Sequence, residues 1–186
     1  DRRFRVHSLT LDDTKEFDLD HPAQLRRGAW LNYIEGMCRS LEGFGPERKG
    51  ADMLISSDVP LGSGLSSSAA LEVSVGLAAC GVSSQAADPL TIVRAGHRAE
   101  TEFVGTQSGI MDQYVSVFAQ PDACLLLDCR SLTSRLLPWH VNNLALVLAD
   151  SGTKRELASS AYNQRREECR QGVLLIRVRL RHITAL

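Results

Sequence analysis

The sequence predicts an α+β fold, in which helices and strands both contribute to a packed core. Three observations predict it. Apolar residues alternate with polar ones in two short runs near the N-terminus, they recur at helical spacing over 30–41, and an apolar run at 53–55 leads through a glycine-rich turn into an apolar helix. With 186 residues, 44% of them hydrophobic, the chain is long enough to bury such a core.

The N-terminal third is predicted to hold two strands, one helix and a third strand. The runs at 3–11 and 16–19 carry apolar residues at alternate positions with a polar turn between them, which predicts an antiparallel pair. The helical spacing of 30–41 ends before Gly43, a residue that commonly stops a helix. The run at 53–55 is the third predicted strand.

Two further helices are predicted in the middle of the chain. The first follows the glycine-rich turn, starting near Ala69 and ending near Gly81. The second has Asp88 as its N-cap and Pro89 in its first turn, and it continues past Glu100.

The remaining third contains shorter patterns. Strand-like runs are predicted at 114–118, 124–127, 136–139 and 144–149. From Leu157 onward the apolar spacing fits one helix, but apolar residues alternate with arginine over 176–181, as in a strand. Both interpretations stay open for this last segment.

The turn Asn142-Asn143 is the predicted boundary between two domains. The first would occupy 1–143 and 144–186 would begin a second α+β domain. The chain starts at Asp1 without an initiator methionine and enters a strand-like run at once, so we expect it to be an internal piece of a longer protein.

Composition and charge argue against several classes of function. The formal net charge is −1 and only 5% of the residues are aromatic, so neither nucleic acid nor an acidic membrane is an expected partner. No run is long and apolar enough to span a bilayer. The five cysteines form no CxxC pair and the five histidines no ligand spacing, which predicts reduced thiols, a cytoplasmic protein and no metal bound through these residues.

The glycine-rich turn is the most informative segment. Glycines let the backbone approach a ligand closely, and the helix that follows begins with unpaired N–H groups, so the segment favours an anion such as phosphate. It is not a Walker-type loop, because it contains no lysine. The alternative is a tight connection in which Ser66 or Ser67 simply caps the helix.

The turn at 105–113 delivers a carboxylate, Asp112, from a stretch of small residues. A carboxylate placed in this way can orient and deprotonate a hydroxyl, and phosphoryl transfer needs little more from a protein than placement and charge neutralisation. The alternative is that Asp112 caps a helix or turn.

Glu100 precedes this turn on a predicted helix, and together with a hydroxyl such as Ser68 it could hold Mg²⁺ near a phosphate loop. Glu102 competes for that role, and a solvated surface charge is the alternative for Glu100. Tyr162 could hydrogen-bond a sugar, although its spacing also fits a half-buried tyrosine on a helix.

Four segments together resemble the galactokinases, within the superfamily named for galactokinase, homoserine kinase, mevalonate kinase and phosphomevalonate kinase (GHMP kinases). They are SDVPLGSGLSSSAALEV at 57–73, GIMDQ at 109–113, LDCRSL at 127–132 and LASSAY at 157–162. The first is shared loosely across the superfamily and the other three point to galactokinases. The resemblance covers nearly the whole chain and fades after about Gly172.

The resemblance implies a GHMP kinase N-terminal domain, which is similar to domain 2 of ribosomal protein S5, and ATP-dependent phosphorylation of galactose. Asp112 would be the catalytic base, Ser68 and Glu100 would bind Mg²⁺, and Gly109, Asp112 and Tyr162 would contact the sugar. Trp30 matches a position near adenine, and a core role for it stays equally open. The residues expected to bind ATP in the loop are Pro60, Leu61, Gly62, Ser63, Gly64, Leu65, Ser66, Ser67, Ser68 and Ala69.

Two parts of the galactokinase pattern are not found in these 186 residues: the N-terminal GRxNLxGEHxD-type segment that grips the sugar, and the late glycine-rich motif. We therefore expect the chain to be inactive alone, because placement and charge stabilisation would be incomplete. Two alternatives stay open, a non-catalytic sensor of galactose and ATP, and a kinase for a related sugar such as N-acetylgalactosamine. A monomer is the simplest expectation for the oligomeric state.

Overall fold

The computed structural model describes residues 1–25, 28–45, 48–139, 145–149 and 159–183. Its helices and strands occur partly in runs, with strands paired at β1-β2 and β4-β5 and successive helices between them, as is usual for an α+β fold. In order they are β1 (Arg3–Ser8), β2 (Asp13–Asp18), α1 (Leu31–Glu42), β3 (Ala51–Ile55), α2 (Ser67–Val82), α3 (Pro89–Arg98), a π-helical turn (Ala99–Val104), α4 (Met111–Phe118), β4 (Ala123–Asp128), β5 (Thr133–Pro138) and α5 (Ser159–Arg177).

The first sheet has the order β2-β1-β3, with β1 antiparallel to β2 and parallel to β3. Phe4 of β1 lies opposite Phe17 of β2, and the two rings stack with centroids 4.9 Å apart. Phe4 and Val6 are fully buried, whereas Arg5 between them is exposed. The alternating pattern of the sequence thus correctly predicted both strands and the face that meets the core.

The core lies between this sheet and the helices. Helix α1 is central, since it packs against α2, α3 and the π-helical turn, and it contributes Ile34, Met37, Cys38 and Leu41. Two glycines allow the helices to approach closely. A Cβ on Gly36 would lie 2.8 Å from Cβ of Phe103, and one on Gly76 would overlap the side chain of Met37. Close helix packing therefore fixes where the loops between the helices emerge.

Helices α1, α2 and α3 follow the sequence prediction closely. Asp88 caps α3 and accepts a hydrogen bond from the backbone N–H of Thr91 at 3.1 Å, with Pro89 as the first helical residue. The helical path continues past Glu100 through the π-helical turn and ends at Gly105, whose φ is 89°. Such π-helical turns are rare in proteins, and those that do occur are often found at functional sites.

Three predictions for the later elements are wrong or incomplete. The run 114–118, predicted as a strand, lies in α4, where the rings of Tyr114 and Phe118 meet one helical turn apart at 4.6 Å. Residues 145–149 of the predicted strand 144–149 form no regular element. Of the two interpretations left open for the last segment, the helix is the one observed up to Arg177, where α5 ends, and a turn follows it in place of the strand that the alternation at 176–181 suggested.

Strands β4 and β5 overlap the strand-like runs predicted at 124–127 and 136–139, and the structure pairs them as an antiparallel hairpin in a second sheet. The proposed domain boundary at Asn142-Asn143 lies outside the described residues and stays a prediction. All five cysteines are free, in agreement with the prediction of reduced thiols. In the part of the chain that the structure describes, we find no helix whose length and hydropathy would let it cross a bilayer.

Candidate active site

The glycine loop between β3 and α2 has a backbone that few residues other than glycine adopt. Gly62 and Gly64 have φ angles of 72° and 81°, and Ser66 is also left-handed at φ 56°. Ser66 occupies the N-cap position of α2, but its side chain makes no capping hydrogen bond. Ser66 therefore occupies the predicted N-cap position, but it does not stabilise the helix start through a side-chain hydrogen bond.

The start of α2 is consequently available to a ligand. The first N–H groups of a helix have no partner within it, and the helix dipole places partial positive charge at the same end. No acidic residue lies in the first turn of α2. The loop and the helix start can thus accommodate an anion through backbone groups, without a lysine.

Glu100 lies behind this loop and is buried, with 9% of its surface exposed. Ser68 Oγ, on the first turn of α2, donates a hydrogen bond to Glu100 Oε1 at 3.2 Å. The interpretation of Glu100 as a solvated surface charge is therefore wrong. Its competitor Glu102 is exposed and pairs with Arg98 at 2.8 Å, so only Glu100 faces the loop helix.

The pair Ser68 and Glu100 fits what Mg²⁺ requires. Magnesium prefers hard oxygen ligands and is usually held by one or two carboxylates together with substrate phosphates, not by a full protein cage. Within the described residues there is no group of three or more His, Cys, Asp or Glu side chains that could hold a metal alone. One carboxylate and one hydroxyl beside a phosphate loop match that mode of binding.

Asp112 lies in the first turn of α4 and is partly exposed. The N-cap of this helix is Ile110, so Asp112 does not cap it. Among the described residues its carboxylate has no hydrogen-bond or ion-pair partner. An unpaired carboxylate at the edge of a buried polar cluster is able to accept a proton from a ligand.

Three residues that join Glu100 to the rest of the core were not assigned a role from the sequence: Glu72, Ser108 and Gln113. Ser108 Oγ donates to Glu100 Oε2 at 2.7 Å, and Gln113 Nε2 donates to the same oxygen at 2.9 Å. Gln113 Nε2 also donates to Glu72 Oε2 at 2.9 Å. Glu72 follows Ser68 by four residues on a helix, so their shared helix face was a signal for this cluster.

Burial controls the protonation of two groups in this cluster. It raises the pKa of Glu72 to about 9, and the negative charges of Glu100 and Asp112 add to that effect, while the hydrogen bond from Gln113 opposes it. Burial likewise raises the pKa of Tyr33 to about 12, with Glu100 and Glu72 contributing. At neutral pH the cluster therefore holds a neutral carboxylic acid at Glu72.

Helix α5 reaches the turn that precedes Asp112. Asn163 accepts a hydrogen bond from the backbone N–H of Gln107 at 2.8 Å and donates one to the carbonyl of Gly105 at 3.0 Å. Arg166 donates to the carbonyl oxygens of Gln107 and Ser108. Tyr162, the neighbour of Asn163, is 47% exposed.

Trp30 is placed in a different region from the loop. Its indole Nε1 donates to Asp13 Oδ2 at 3.0 Å, and its ring packs partly against the core. It lines a cavity of about 420 Å³ with Lys15, Asn32 and Glu35 among others, and none of its lining residues belongs to the loop 60–69. The structure thus brings together Ser68, Glu100 and the helix of Asp112, and it leaves Trp30 apart from them.

Comparison with known proteins agrees with this arrangement. The family described as GHMP kinases N terminal domain matches residues 32–120, which include the loop, Glu100 and Asp112. Residues 32–120 of the chain therefore match a GHMP kinase N-terminal domain. Its fold is the mixed α+β fold of these kinases, as the resemblance had predicted.

Similar curated proteins are galactokinases. The galactokinase of Chloroflexus aggregans is 42% identical over 188 residues, covering 100% of this chain and 47% of that protein. The galactokinase of Roseiflexus is 47% identical over 171 residues, covering 91% of this chain and 43% of that protein. The chain thus spans about half the length of the curated relatives it matches.

Solved structures of GHMP kinases have the same fold. Lactococcus lactis galactokinase, crystallised in complex with galactose, superposes with a TM-score of 0.79 at 29% identity, over 96% of this chain and 47% of that one. Methanococcus jannaschii mevalonate kinase superposes over 63% of this chain and 38% of that one, with a TM-score of 0.55. At 19% identity the second match shows the fold alone.

Proposed function

We propose that the complete gene product containing this chain transfers the γ-phosphoryl group of ATP to the anomeric hydroxyl of galactose, giving ADP and galactose 1-phosphate. The observation that carries the proposal is the hydrogen bond between Ser68, at the end of the glycine loop, and the buried Glu100. Glu100 also accepts a hydrogen bond from Gln113, the residue that directly follows Asp112. The galactokinase relatives supply the substrate class.

In this proposal Asp112 is the general base. Its carboxylate, which has no partner among the described residues, accepts the proton of the anomeric hydroxyl. The sugar oxygen forms a bond to the γ-phosphorus, and the bond from that phosphorus to the ADP oxygen breaks. The protein contributes mainly placement and charge stabilisation to such a transfer. The partial exposure of Asp112 leaves a path for the sugar to reach it.

The loop 60–69 is proposed to hold the ATP phosphates through backbone N–H groups. Ser68 and Glu100 would hold Mg²⁺, and the ion would supply positive charge to the phosphate oxygens. The buried position of Glu100 supports this role, because a desolvated carboxylate attracts a cation more strongly than an exposed one does.

Sugar contacts are proposed for Gly109 and Tyr162. A Cβ on Gly109 would meet nothing within 4 Å, so the turn is open on this side. The hydrogen bonds of Asn163 to the turn support the placement of the adjacent Tyr162 near Asp112. We retain Trp30 as a proposed adenine contact, although the cavity that it lines is not connected to the loop. A cytoplasmic monomer is the proposed state of the protein.

The test is formation of galactose 1-phosphate by the complete gene product with MgATP, with N-acetylgalactosamine as a competing sugar and the 186-residue chain assayed beside it. We expect galactose to be phosphorylated by the complete product only. Preference for N-acetylgalactosamine would replace the proposed substrate. Tight binding of ATP and galactose without any transfer would favour the sensor.

A further inference from the structure

A buried carboxamide joins three helical segments around the candidate metal site. Gln113 of α4 is fully buried, and its amide nitrogen donates to Glu72 of α2 and to Glu100 of the π-helical turn, each at 2.9 Å. Neither Gln113 nor Glu72 has a part in the proposed transfer. Both groups are costly to bury, so their place in the core requires another explanation.

We propose that Gln113 and Glu72 form a positioning pair, which sets the orientation of the Glu100 carboxylate toward Ser68 and fixes the helix of Asp112 relative to the phosphate loop. The proposal rests on the function proposed above, and it adds two residues that act through others.

The distribution of hydrogen bonds on Glu100 supports this role. Oε2 accepts from both Gln113 and Ser108, at 2.9 and 2.7 Å, whereas Oε1 faces Ser68 at 3.2 Å. One carboxylate oxygen is thus held by the core and the other is directed to the start of α2. Partners of this kind fix the orientation of a metal-binding carboxylate.

A protonated Glu72 can occupy this buried position without adding a negative charge to the core. It accepts a hydrogen bond from Gln113, as a neutral acid or an amide can also do. Its raised pKa agrees with a neutral group at physiological pH. An ionised carboxylate at this position would compete with Glu100 for the donor and would add a second negative charge to the core.

Gly96 of α3 provides an independent way to disturb the pair. A Cβ at this position would lie 3.0 Å from Gln113 Cγ and 3.4 Å from Glu72 Oε2. Gly96→Ala would therefore displace the pair without removing a polar group. Gly81→Ala is the matched control, because a Cβ there would meet nothing within 4 Å.

The experiment measures the affinity of Mn²⁺ for the complete gene product saturated with ADP, by electron paramagnetic resonance of free Mn²⁺, together with kcat and the KM for galactose. For Gln113→Met and Glu72→Met we expect roughly tenfold weaker Mn²⁺ binding and a kcat reduced about as much or more, as for other partners of metal ligands. The KM for galactose should change less than twofold. Glu72→Gln should recover most of the Mn²⁺ affinity that Glu72→Met loses, and Gly96→Ala should weaken binding where Gly81→Ala does not.

The outcomes separate the pair from a merely structural role. If the methionine variants lower the melting temperature but keep their Mn²⁺ affinity and kcat, the proposal is wrong. It is also wrong if Glu72→Gln loses as much affinity as Glu72→Met. If Gln113→Met does not fold, the proposal is tested by comparing Glu72→Gln with Glu72→Met and Gly96→Ala with Gly81→Ala. A wild-type protein that transfers no phosphoryl group, yet binds Mn²⁺ in a manner dependent on Gln113, would contradict the proposed function and support the pair.

Discussion

The glycine loop and the buried cluster behind it would contribute to the proposed site by opposite means. The loop 60–69 acts through its backbone, which is left-handed at Gly62, Gly64 and Ser66 and makes no side-chain cap at the helix start. The cluster acts through side chains brought together from α2, the π-helical turn and α4. The loop therefore depends on local sequence, whereas the cluster depends on helix packing.

Asp112→Asn should have the largest effect, because it removes the proposed base and leaves both the loop and the cluster in place. We expect kcat to fall about 10³-fold, within the range for general bases, while the Kd for ATP changes little. A coupled assay and calorimetric titration with ATP measure the two quantities. Asp52→Asn, at an exposed position of β3, is the control. Near-normal turnover of Asp112→Asn would exclude the base assignment.

Glu100→Gln should come next and reports on the cluster. It keeps the shape of the side chain but removes the charge that would attract Mg²⁺, so kcat/KM for MgATP should fall about 10²-fold, with a higher magnesium requirement. Initial rates over a magnesium titration measure this. Glu102→Gln removes only an exposed ion pair with Arg98, which contributes about 0–1 kcal/mol, and should leave activity unchanged. Equal losses in both variants would refute the distinction between the two glutamates.

Gly62→Ala tests the loop by itself. Its φ of 72° is unfavourable for alanine by about 1–2 kcal/mol, although a Cβ would meet nothing within 4 Å. A free-energy change of about 1.4 kcal/mol corresponds to tenfold in affinity, so we expect the Kd for ATP to rise about tenfold. The Mn²⁺ affinity measured with ADP should be less affected than in the Gln113 variants. An unchanged Kd for ATP would argue against backbone contacts to phosphate.

The same distinction explains what the sequence could predict. The strands, α1 to α3 and the loop follow from local periodicity and capping, as at Asp88. Helix α4 was missed because Tyr114, Val115, Val117 and Phe118 favour strands, and tertiary contacts override that preference. Glu72 was missed because its helical spacing from Ser68 places it on the right face, but does not reveal that it meets Gln113, 41 residues away.

The smallest expected effect concerns stability and the protonation of Glu72. Its pKa is about 9 in the folded chain and near 4.5 when unfolded, so folding takes up a proton between these values. The stabilisation is therefore complete below pH 4.5 and is lost as pH rises toward 9. Three other titratable groups interact with Glu72: the charges of Glu100 and Asp112 raise its pKa, and the charge of Glu72 raises the pKa of Tyr33.

Glu72→Gln should remove this pH dependence, because the amide has no proton to lose. Urea unfolding at pH 5.5, 7 and 8.5 measures the effect on the complete gene product. We expect the free energy of unfolding of the wild type to fall relative to Glu72→Gln by at least about 1.4 kcal/mol across this range, the equivalent of one pKa unit. Glu16→Gln, at an exposed position of β2, should run parallel to the wild type. Parallel curves for Glu72→Gln as well would mean that Glu72 is already ionised in the folded core, and the acid in the cluster would have to be another group.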